Sequence, residues 1–195
     1  MMRRTLIAAL TLTALSGCVS LGGDVPDEMI SLTPEARAPA GEIGAGTLRD
    51  ALVVLDPDAD RRLDVARVPV QISDSAVAYL EKATWVEKPA RQFRRLLAET
   101  IRAKGGRIVV EGSDYEVSGK TRLAGRLIDM GYDAATRSVV VRYDAVLEGE
   151  GGAVRSRRFE SVVSGVAAKA PAVAPALNRA ANDVAAQVAN WVAGG

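Results

Sequence analysis

The sequence predicts an α+β domain, a mixed fold in which two main helices pack on a predominantly antiparallel sheet. A signal peptide and a flexible linker precede it. Two apolar stripes at helical spacing, near residues 89–104 and 176–192, predict the helices. A run with a clean period of two at residues 138–147 predicts a strand with one buried face. Neighbouring strands joined by short turns indicate an antiparallel meander.

The N-terminal residues have the pattern of a secretory signal. Arg3 and Arg4 give a basic start, and a short apolar run from Thr5 to Leu15 follows before small residues end it. A helix that spans a bilayer needs about 20 apolar residues, so this run is too short to be a membrane anchor. We therefore expect residues 1–17 to be removed as a signal peptide.

The end of the signal, Leu15-Ser16-Gly17-Cys18, is similar to the lipobox of bacterial lipoproteins. In that class cleavage falls between the residues that correspond to Gly17 and Cys18, and the cysteine becomes the lipid-carrying mature N-terminus. The alternative is a plain signal with an incidental cysteine. Cys18 is the only cysteine in the chain, which favours lipidation and excludes an internal disulfide.

The resemblance to lipoproteins also implies a location. One acyl chain holds a protein only marginally, whereas the two or three chains of a bacterial lipoprotein give stable anchoring. Val19 follows Cys18 at the position where Asp favours retention in the inner membrane. The resemblance therefore implies a protein on the periplasmic side of the outer membrane, held by covalent lipid on Cys18.

Three segments are predicted along the chain. Residues 1–17 are the signal, residues 18–47 are the lipidated N-terminus and a flexible linker, and residues 48–192 are the folded domain. The linker is rich in Gly, Pro, Ala and Asp and has no apolar period. For its second half, a partly ordered strap that lies on the domain stays open as an alternative.

The first elements of the domain are predicted strands. Residues 48–55 end in a continuous apolar run that suits a buried strand. Three aspartates at alternate positions in residues 56–60 resemble the start of a calcium loop. Arg61 stands where that loop needs Gly and Arg67 where it needs the closing Glu, so a polar turn is the better interpretation.

The next segment predicts a bent strand and a short extended piece. Apolar residues alternate from Leu63 to Val65 and again from Val68 to Ile72, with a phase shift that indicates a bulge. Residues 76–80 resume an extended pattern, and Trp85 falls in a short irregular segment.

A helix is predicted from Pro89 to about Lys104. Proline suits the first helical turn, and Gly105 suits a helix end. Four basic side chains lie away from the apolar stripe. A solvated face is the favoured interpretation of these residues, and a phosphate or lipid headgroup site is the alternative: Arg91, Arg94, Arg95 and Arg102.

The rest of the domain is predicted to form four strands and a helix. Residues 107–111 form a strand, residues 121–132 and 138–147 form a hairpin, and another strand lies around residues 157–166. The last helix is predicted over residues 176–192, after two prolines.

Composition argues against catalysis and against nucleic-acid binding. The chain has no histidine, and its single cysteine is assigned to lipid, which excludes the usual triads and zinc ligand sets. Asp114 and Glu116 could act as an acid and base, but close carboxylates are common on surface turns. The 25 Lys and Arg residues against 24 Asp and Glu give no basic excess for nucleic acid. We expect no enzymatic activity and no cofactor beyond the lipid on Cys18.

Three segments together resemble the ABC-type transport auxiliary lipoprotein family: Val68–Leu80, Thr84–Pro89 and Phe93–Glu99. The order of lipobox, linker, strands, helix, three-strand stretch and final helix also matches, over roughly residues 48–192. This family contains the lipoprotein partners of MCE-domain lipid transporters, including paraquat-inducible intermembrane transport lipoproteins.

The resemblance implies a non-enzymatic docking component of a lipid transport system between the inner and outer membranes. Its partners would be a periplasmic MCE-domain protein with its permease and ATPase, and self-association stays open. Tyr79, Leu80 and Trp85 are candidates for the partner surface, and closing the core is the alternative. A periplasmic lipid-binding carrier and an assembly chaperone for outer-membrane components are the alternative functions.

Overall fold

The computed structural model describes residues 28–41, 44–112 and 121–194. Gly17 and Cys18 lie outside the described residues, as does the acidic pair Asp114 and Glu116. No helix in the described ranges is long and apolar enough to cross a membrane.

The described residues form a mixed eight-stranded sheet and two α-helices, which confirms the predicted α+β class. The strands are β1 Leu52–Leu55, β2 Asp58–Ala59, β3 Arg67–Ser73, β4 Ala76–Thr84, β5 Val109–Gly112, β6 Thr121–Asp133, β7 Ser138–Glu148 and β8 Val154–Ser164. The helices are α1 Pro89–Lys104 and α2 Ala170–Ala193.

The long strand β6 organises the sheet. It pairs antiparallel with β7, and β7 pairs antiparallel with β8, so the predicted meander is confirmed. On its other edge β6 pairs in parallel with β1 and β2 near its start and with β3 near its end. Strand β5 extends the sheet beyond β1, and β4 extends it beyond β3. The parallel pairs join segments distant in sequence, which local periodicity does not reveal.

Helix α1 has the predicted bounds. Pro89 occupies its first turn, where a missing N–H costs nothing, and Gly105 ends it with φ +73°. Its predicted apolar face is buried against the sheet: Phe93, Leu96, Leu97 and Ile101.

Helix α2 begins at Ala170, earlier than the predicted residue 176. Pro171 lies in the first turn, where it needs no intrahelical N–H, and Pro175 removes a single later backbone bond. The two prolines therefore lie within the helix rather than before it. The predicted stripe is buried except at Trp191, which is partly buried, and α2 packs against α1, β7 and β8.

Aromatic rings fill the layer between the helices and the sheet. Phe93 on α1 meets Tyr143 on β7 edge to face, with the ring centroids 5.2 Å apart. The Tyr143 hydroxyl donates to the carbonyl oxygen of Ala124 at 2.9 Å, and burial raises the pKa of the phenol. Nearer the end of α2, Trp191 packs edge to face on Phe159 at 5.6 Å. The layer is tightly packed core.

The strand predicted around Leu63 and Val65 is wrong. The chain turns there instead, because the backbone N–H groups of Leu63 and Asp64 both donate to the carbonyl oxygen of Asp60. Leu63 is nevertheless fully buried. Its apolar side chain packs in the core although its backbone lies in a turn. An alternating apolar pattern does not distinguish a buried turn residue of this kind from a strand residue.

Residues 28–41 lie on the domain as an extended strap, which was the alternative to a flexible linker for the second half of that segment. Ile30 forms a parallel bridge with Trp85, and its own side chain belongs to the core. These residues are therefore part of the folded domain, which begins before the predicted residue 48. We call residues 28–41 the strap.

Candidate docking surfaces

Two of the three predicted partner residues lie in the core. Trp85 is fully buried, and Leu80 is 9% exposed. The Trp85 backbone N–H donates to the carbonyl oxygen of Ala66, and the strap covers it at Ile30. Trp85 and Leu80 close the core, which was the alternative to a role at the partner surface. In this conformation they expose little or no side-chain surface to a partner.

Tyr79 lies on the other face of the sheet, away from the helices. It is half-buried and stands opposite Pro69 on β3. The guanidinium of Arg67 lies over its ring, 4.5 Å from the centroid, which is a cation–π geometry. Tyr79 is the one predicted partner residue on the sheet face that no helix covers.

An uncharged row crosses this open face from β4 to β8, and we call it the apolar row. Its members are neighbours across consecutive strand pairs: Tyr79, Pro69, Gly131, Val140 and Val162. Val162 is 48% exposed. Gly131 is tightly enclosed, because a Cβ atom added there would lie 2.5 Å from the carbonyl oxygen of Pro69.

Ion pairs flank the apolar row. Asp129 pairs with both Arg62 and Arg142, and Arg142 also contacts Glu160 on β8 at 2.5 Å. Part of this network lines an open groove of about 420 Å³, which also contains Gln71 from β3. The charges neutralise one another, so the groove is not a site for an anion.

A further pair, Arg158 and Asp144, joins β8 to β7 on the open face. Arg158 donates from Nε at 2.6 Å and from Nη2 at 2.7 Å to the two carboxylate oxygens. The hydrogen bonds from Arg158 hold the pKa of Asp144 below its ordinary value. This bidentate pair fixes the position of the Arg158 side chain on β8 relative to the Asp144 side chain on β7.

The four arginines of α1 are paired with carboxylates. Arg94 contacts Asp56 at 3.0 Å, Arg102 contacts Glu111 at 2.8 Å, and Arg91 and Arg95 both contact Glu87. Arg94 and Arg102 are more than four-fifths buried, so they connect the helix to the sheet rather than forming the predicted solvated face. The pairing leaves little charge for a phosphate or a lipid headgroup.

The strap lies on the helix-covered side of the domain. Side-chain oxygens of α1 and α2 accept four strap N–H groups: Leu32 to Gln92 at 2.9 Å, Thr33 to Asn178 at 2.8 Å, Glu35 to Asn182 at 2.8 Å and Ala38 to Glu99 at 3.0 Å. The Asn182 side chain also donates to the Thr33 carbonyl oxygen at 2.9 Å. Sequence reasoning missed these residues. The one available signal was the pair of amides four residues apart on α2.

These observations define a class of protein, an α+β domain in which two helices cover one face of a mixed sheet. No group of three His, Cys, Asp or Glu side chains that could hold a metal ion occurs in the part of the chain that the structure describes. The chain belongs to the ABC-type transport auxiliary lipoprotein component family, whose sequence model matches residues 31–189. The predicted resemblance is therefore confirmed, and the match begins within the strap.

Solved structures share the fold. A crystallised Xanthomonas campestris protein assigned to the domain family of unknown function 330 superposes with a TM-score of 0.71 at 18% identity, covering 85% of this chain and 94% of its own. A second crystallised protein, of uncharacterised function, gives a TM-score of 0.65 at 16% identity, covering 84% and 97%. None of the curated proteins matches the sequence. At these identities the structural likeness shows the fold alone.

Proposed function

We propose that this protein is a periplasm-facing outer-membrane lipoprotein that serves as the non-enzymatic docking component of an ABC-type MCE lipid transport system. The family match over residues 31–189 carries the proposal, because the family is a lipoprotein auxiliary of ABC-type transport. In such a system an inner-membrane permease and ATPase supply energy, and an MCE-domain protein forms the periplasmic conduit. The lipoprotein joins the conduit at its outer end.

The anchor in this proposal is lipid on Cys18, exposed when the signal is cleaved after Gly17. The sequence supports it, since the only cysteine stands at the end of a short signal. In this proposal the open face of the sheet stays available to a periplasmic partner.

The docking surface in this proposal is the apolar row on the open face of the sheet. The opposite face is occupied by α1 and α2, so the open face is where β6, β7 and β8 can meet another protein. Tyr79 and Val162 stand at the two ends of the row, and aromatic and apolar residues within a polar rim are typical of binding surfaces. The occupant that we assign is the MCE-domain protein, because that is the partner of this family of auxiliary lipoproteins.

Affinity purification from the native membrane tests this proposal. We expect the tagged protein to recover an MCE-domain protein, and Val162→Asp to reduce the recovery about tenfold because it places an unpaired charge on the row. Ser156→Asp is the matched control. It lies on the same face of β8 but outside the row, so recovery should be unchanged. Undiminished recovery with Val162→Asp would remove the apolar row from the proposal, and bound proteins without an MCE domain would remove the transport role.

A further inference from the structure

The strand β8 forms one edge of the sheet. It pairs with β7 along its whole length, from Val154 opposite Glu148 to Ser164 opposite Ser138. Among the described residues it has no second strand partner. An edge strand presents a row of backbone N–H and carbonyl groups to its surroundings. With eleven residues, β8 is long enough to pair with a further extended segment.

The first half of this edge is the exposed half. At Glu160 the backbone of β8 is held by α2, because the Gln187 side chain donates to the Glu160 carbonyl oxygen at 3.2 Å. Residues 154–158 precede this contact and are all exposed, and Val154 is 63% exposed. We call residues 154–158 the free edge.

Two arginines on the helix-facing side of the free edge form no ion pair with the described residues. The guanidinium of Arg155 lies over the Trp191 ring, 5.1 Å from its centroid, and that of Arg157 lies over the Phe159 ring at 5.2 Å. The two rings pack edge to face, so together they support both guanidiniums. Contact with a ring restricts a guanidinium and leaves its N–H groups able to donate. The two cations are therefore held in place and available to an anion.

The other side of the free edge is neutral. Arg158 points to the open face, where both carboxylate oxygens of Asp144 accept its hydrogen bonds. Val154 and Ser156, on the same side, carry no charge. The excess positive charge therefore lies on one side only, at alternate residues about 6.8 Å apart. Carboxylates at alternate positions of another extended segment have the same spacing.

Charge also decides against a second copy of β8 as the occupant. None of the side chains that β8 carries on its helix-facing side is acidic: Arg155, Arg157, Phe159, Ser161 and Val163. Two antiparallel copies would therefore bring their arginines to one seam without a carboxylate to neutralise them. A lipid headgroup supplies an anion but no backbone that pairs with a strand. The occupant that satisfies both the edge and the charge is an acidic polypeptide segment.

We infer that the free edge binds an extended acidic segment of a second protein, which adds to β8 as a strand and places alternate carboxylates on Arg155 and Arg157. Backbone hydrogen bonds to β8 supply affinity, and the two arginines select the charge and the register. This inference goes beyond the proposed function, because it depends neither on lipid at Cys18 nor on the apolar row.

Binding of a designed peptide tests the inference. The probe is a short, dye-labelled peptide of alternating threonine and glutamate, added to the full-length protein in nonionic detergent, and fluorescence anisotropy measures its affinity. We expect saturable binding that Arg155→Gln combined with Arg157→Gln weakens about tenfold. Arg49→Gln combined with Arg61→Gln is the matched control. It removes the same charge from two exposed positions outside β8 and should leave the affinity unchanged.

A second peptide separates strand addition from attraction between charges. A peptide of alternating proline and glutamate has the same charge but lacks half of the backbone N–H groups, so we expect it to bind several-fold more weakly. Equal affinity for the two peptides would overturn the inference. Binding of neither peptide would also overturn it, and the arginines would then serve to keep other strands away from the edge.

Hydrogen–deuterium exchange locates the bound peptide. We expect the threonine and glutamate peptide to slow exchange of the backbone N–H groups of the free edge. Slower exchange confined to another part of the domain would overturn the inference. Slow exchange of the free edge before the peptide is added, in protein that self-associates, would show that a second copy occupies the edge and would overturn the inference as well.

Discussion

The Asn182 side chain on α2 accepts a hydrogen bond from the backbone N–H of Glu35, 147 residues earlier in the chain, at 2.8 Å. Its amide N–H₂ group donates to the carbonyl oxygen of Thr33 at 2.9 Å. One buried amide therefore substitutes for a strand partner of the strap. This relationship explains why a segment of linker-like composition is folded.

Asn182→Ala tests the contribution of that amide to stability. The change leaves a backbone N–H and a carbonyl oxygen of the strap unpaired, so we expect the free energy of unfolding to fall by about 2 kcal/mol. Asn190→Ala is the control on an exposed position and should change it by less than about 0.5 kcal/mol. Urea unfolding of the chain without residues 1–18 measures both. Similar values for the two variants would contradict a structural role for the strap.

Gly131→Ala tests the close contact between β6 and β3. The added Cβ atom would meet the Pro69 carbonyl oxygen at 2.5 Å and the Pro69 Cγ atom at 2.9 Å, so the strands must separate. We expect a loss of about 1–3 kcal/mol in the free energy of unfolding. At Gly149 the nearest atom is 3.7 Å from the added Cβ, so Gly149→Ala should be close to neutral. A neutral Gly131→Ala would contradict the pairing of β3 with β6.

We expect substitution of Trp85 to lower the stability of the domain and substitution of Tyr79 to weaken partner binding. Trp85→Ala removes a fully buried ring, and we expect the free energy of unfolding to fall by about 3–5 kcal/mol. Tyr79→Ala removes a half-buried ring and its contact with Arg67, at a cost of about 1 kcal/mol. We expect Tyr79→Ala to weaken recovery of the MCE-domain protein while the domain remains folded. Full recovery with Tyr79→Ala would argue against its place in the docking surface.

The Arg158–Asp144 pair makes stability depend on pH in a defined direction. The folded-state pKa of Asp144 lies below the ordinary value of 3.8, so the pair stabilises the folded domain above that pH. This contribution is lost as the pH falls through the lowered pKa. Arg158→Gln should raise the pKa of the Asp144 carboxyl, which a carboxyl-carbon NMR titration measures directly. Arg155→Gln, on the opposite face of β8, should leave that pKa where it is.

Periodicity was sufficient where local sequence determines the element. The stripe of α1 and the alternation in β7 each bury one face, so the helix and the hairpin were predicted with nearly correct bounds. The start of α2 was missed because proline in the first helical turns looks like a helix boundary in sequence. The parallel pairs of β6 with β1 and β3 join segments that are distant in sequence. A short turn motif between two strands indicates an antiparallel hairpin, and parallel pairs have no such motif.

The candidate surface was predicted only in part, for a physical reason. Tyr79, Leu80 and Trp85 are close in sequence, but alternation along β4 sends Tyr79 to the open face and Leu80 to the core. The strap was missed as a firm prediction because side chains from two helices hold four of its N–H groups, and its one core residue, Ile30, forms no apolar period. Amides such as Gln92 look like solvated helix positions until the segment that covers them is known.

The mass of the mature N-terminal peptide, taken from protein purified from its native membrane, tests the lipid anchor. We expect a peptide that begins at Cys18 and carries the mass of a diacylglyceryl group, with or without a further acyl chain. A mature chain that begins at another residue, or an unmodified Cys18 thiol, would contradict the lipid anchor. The proposed place of this protein in the transport system would then be lost.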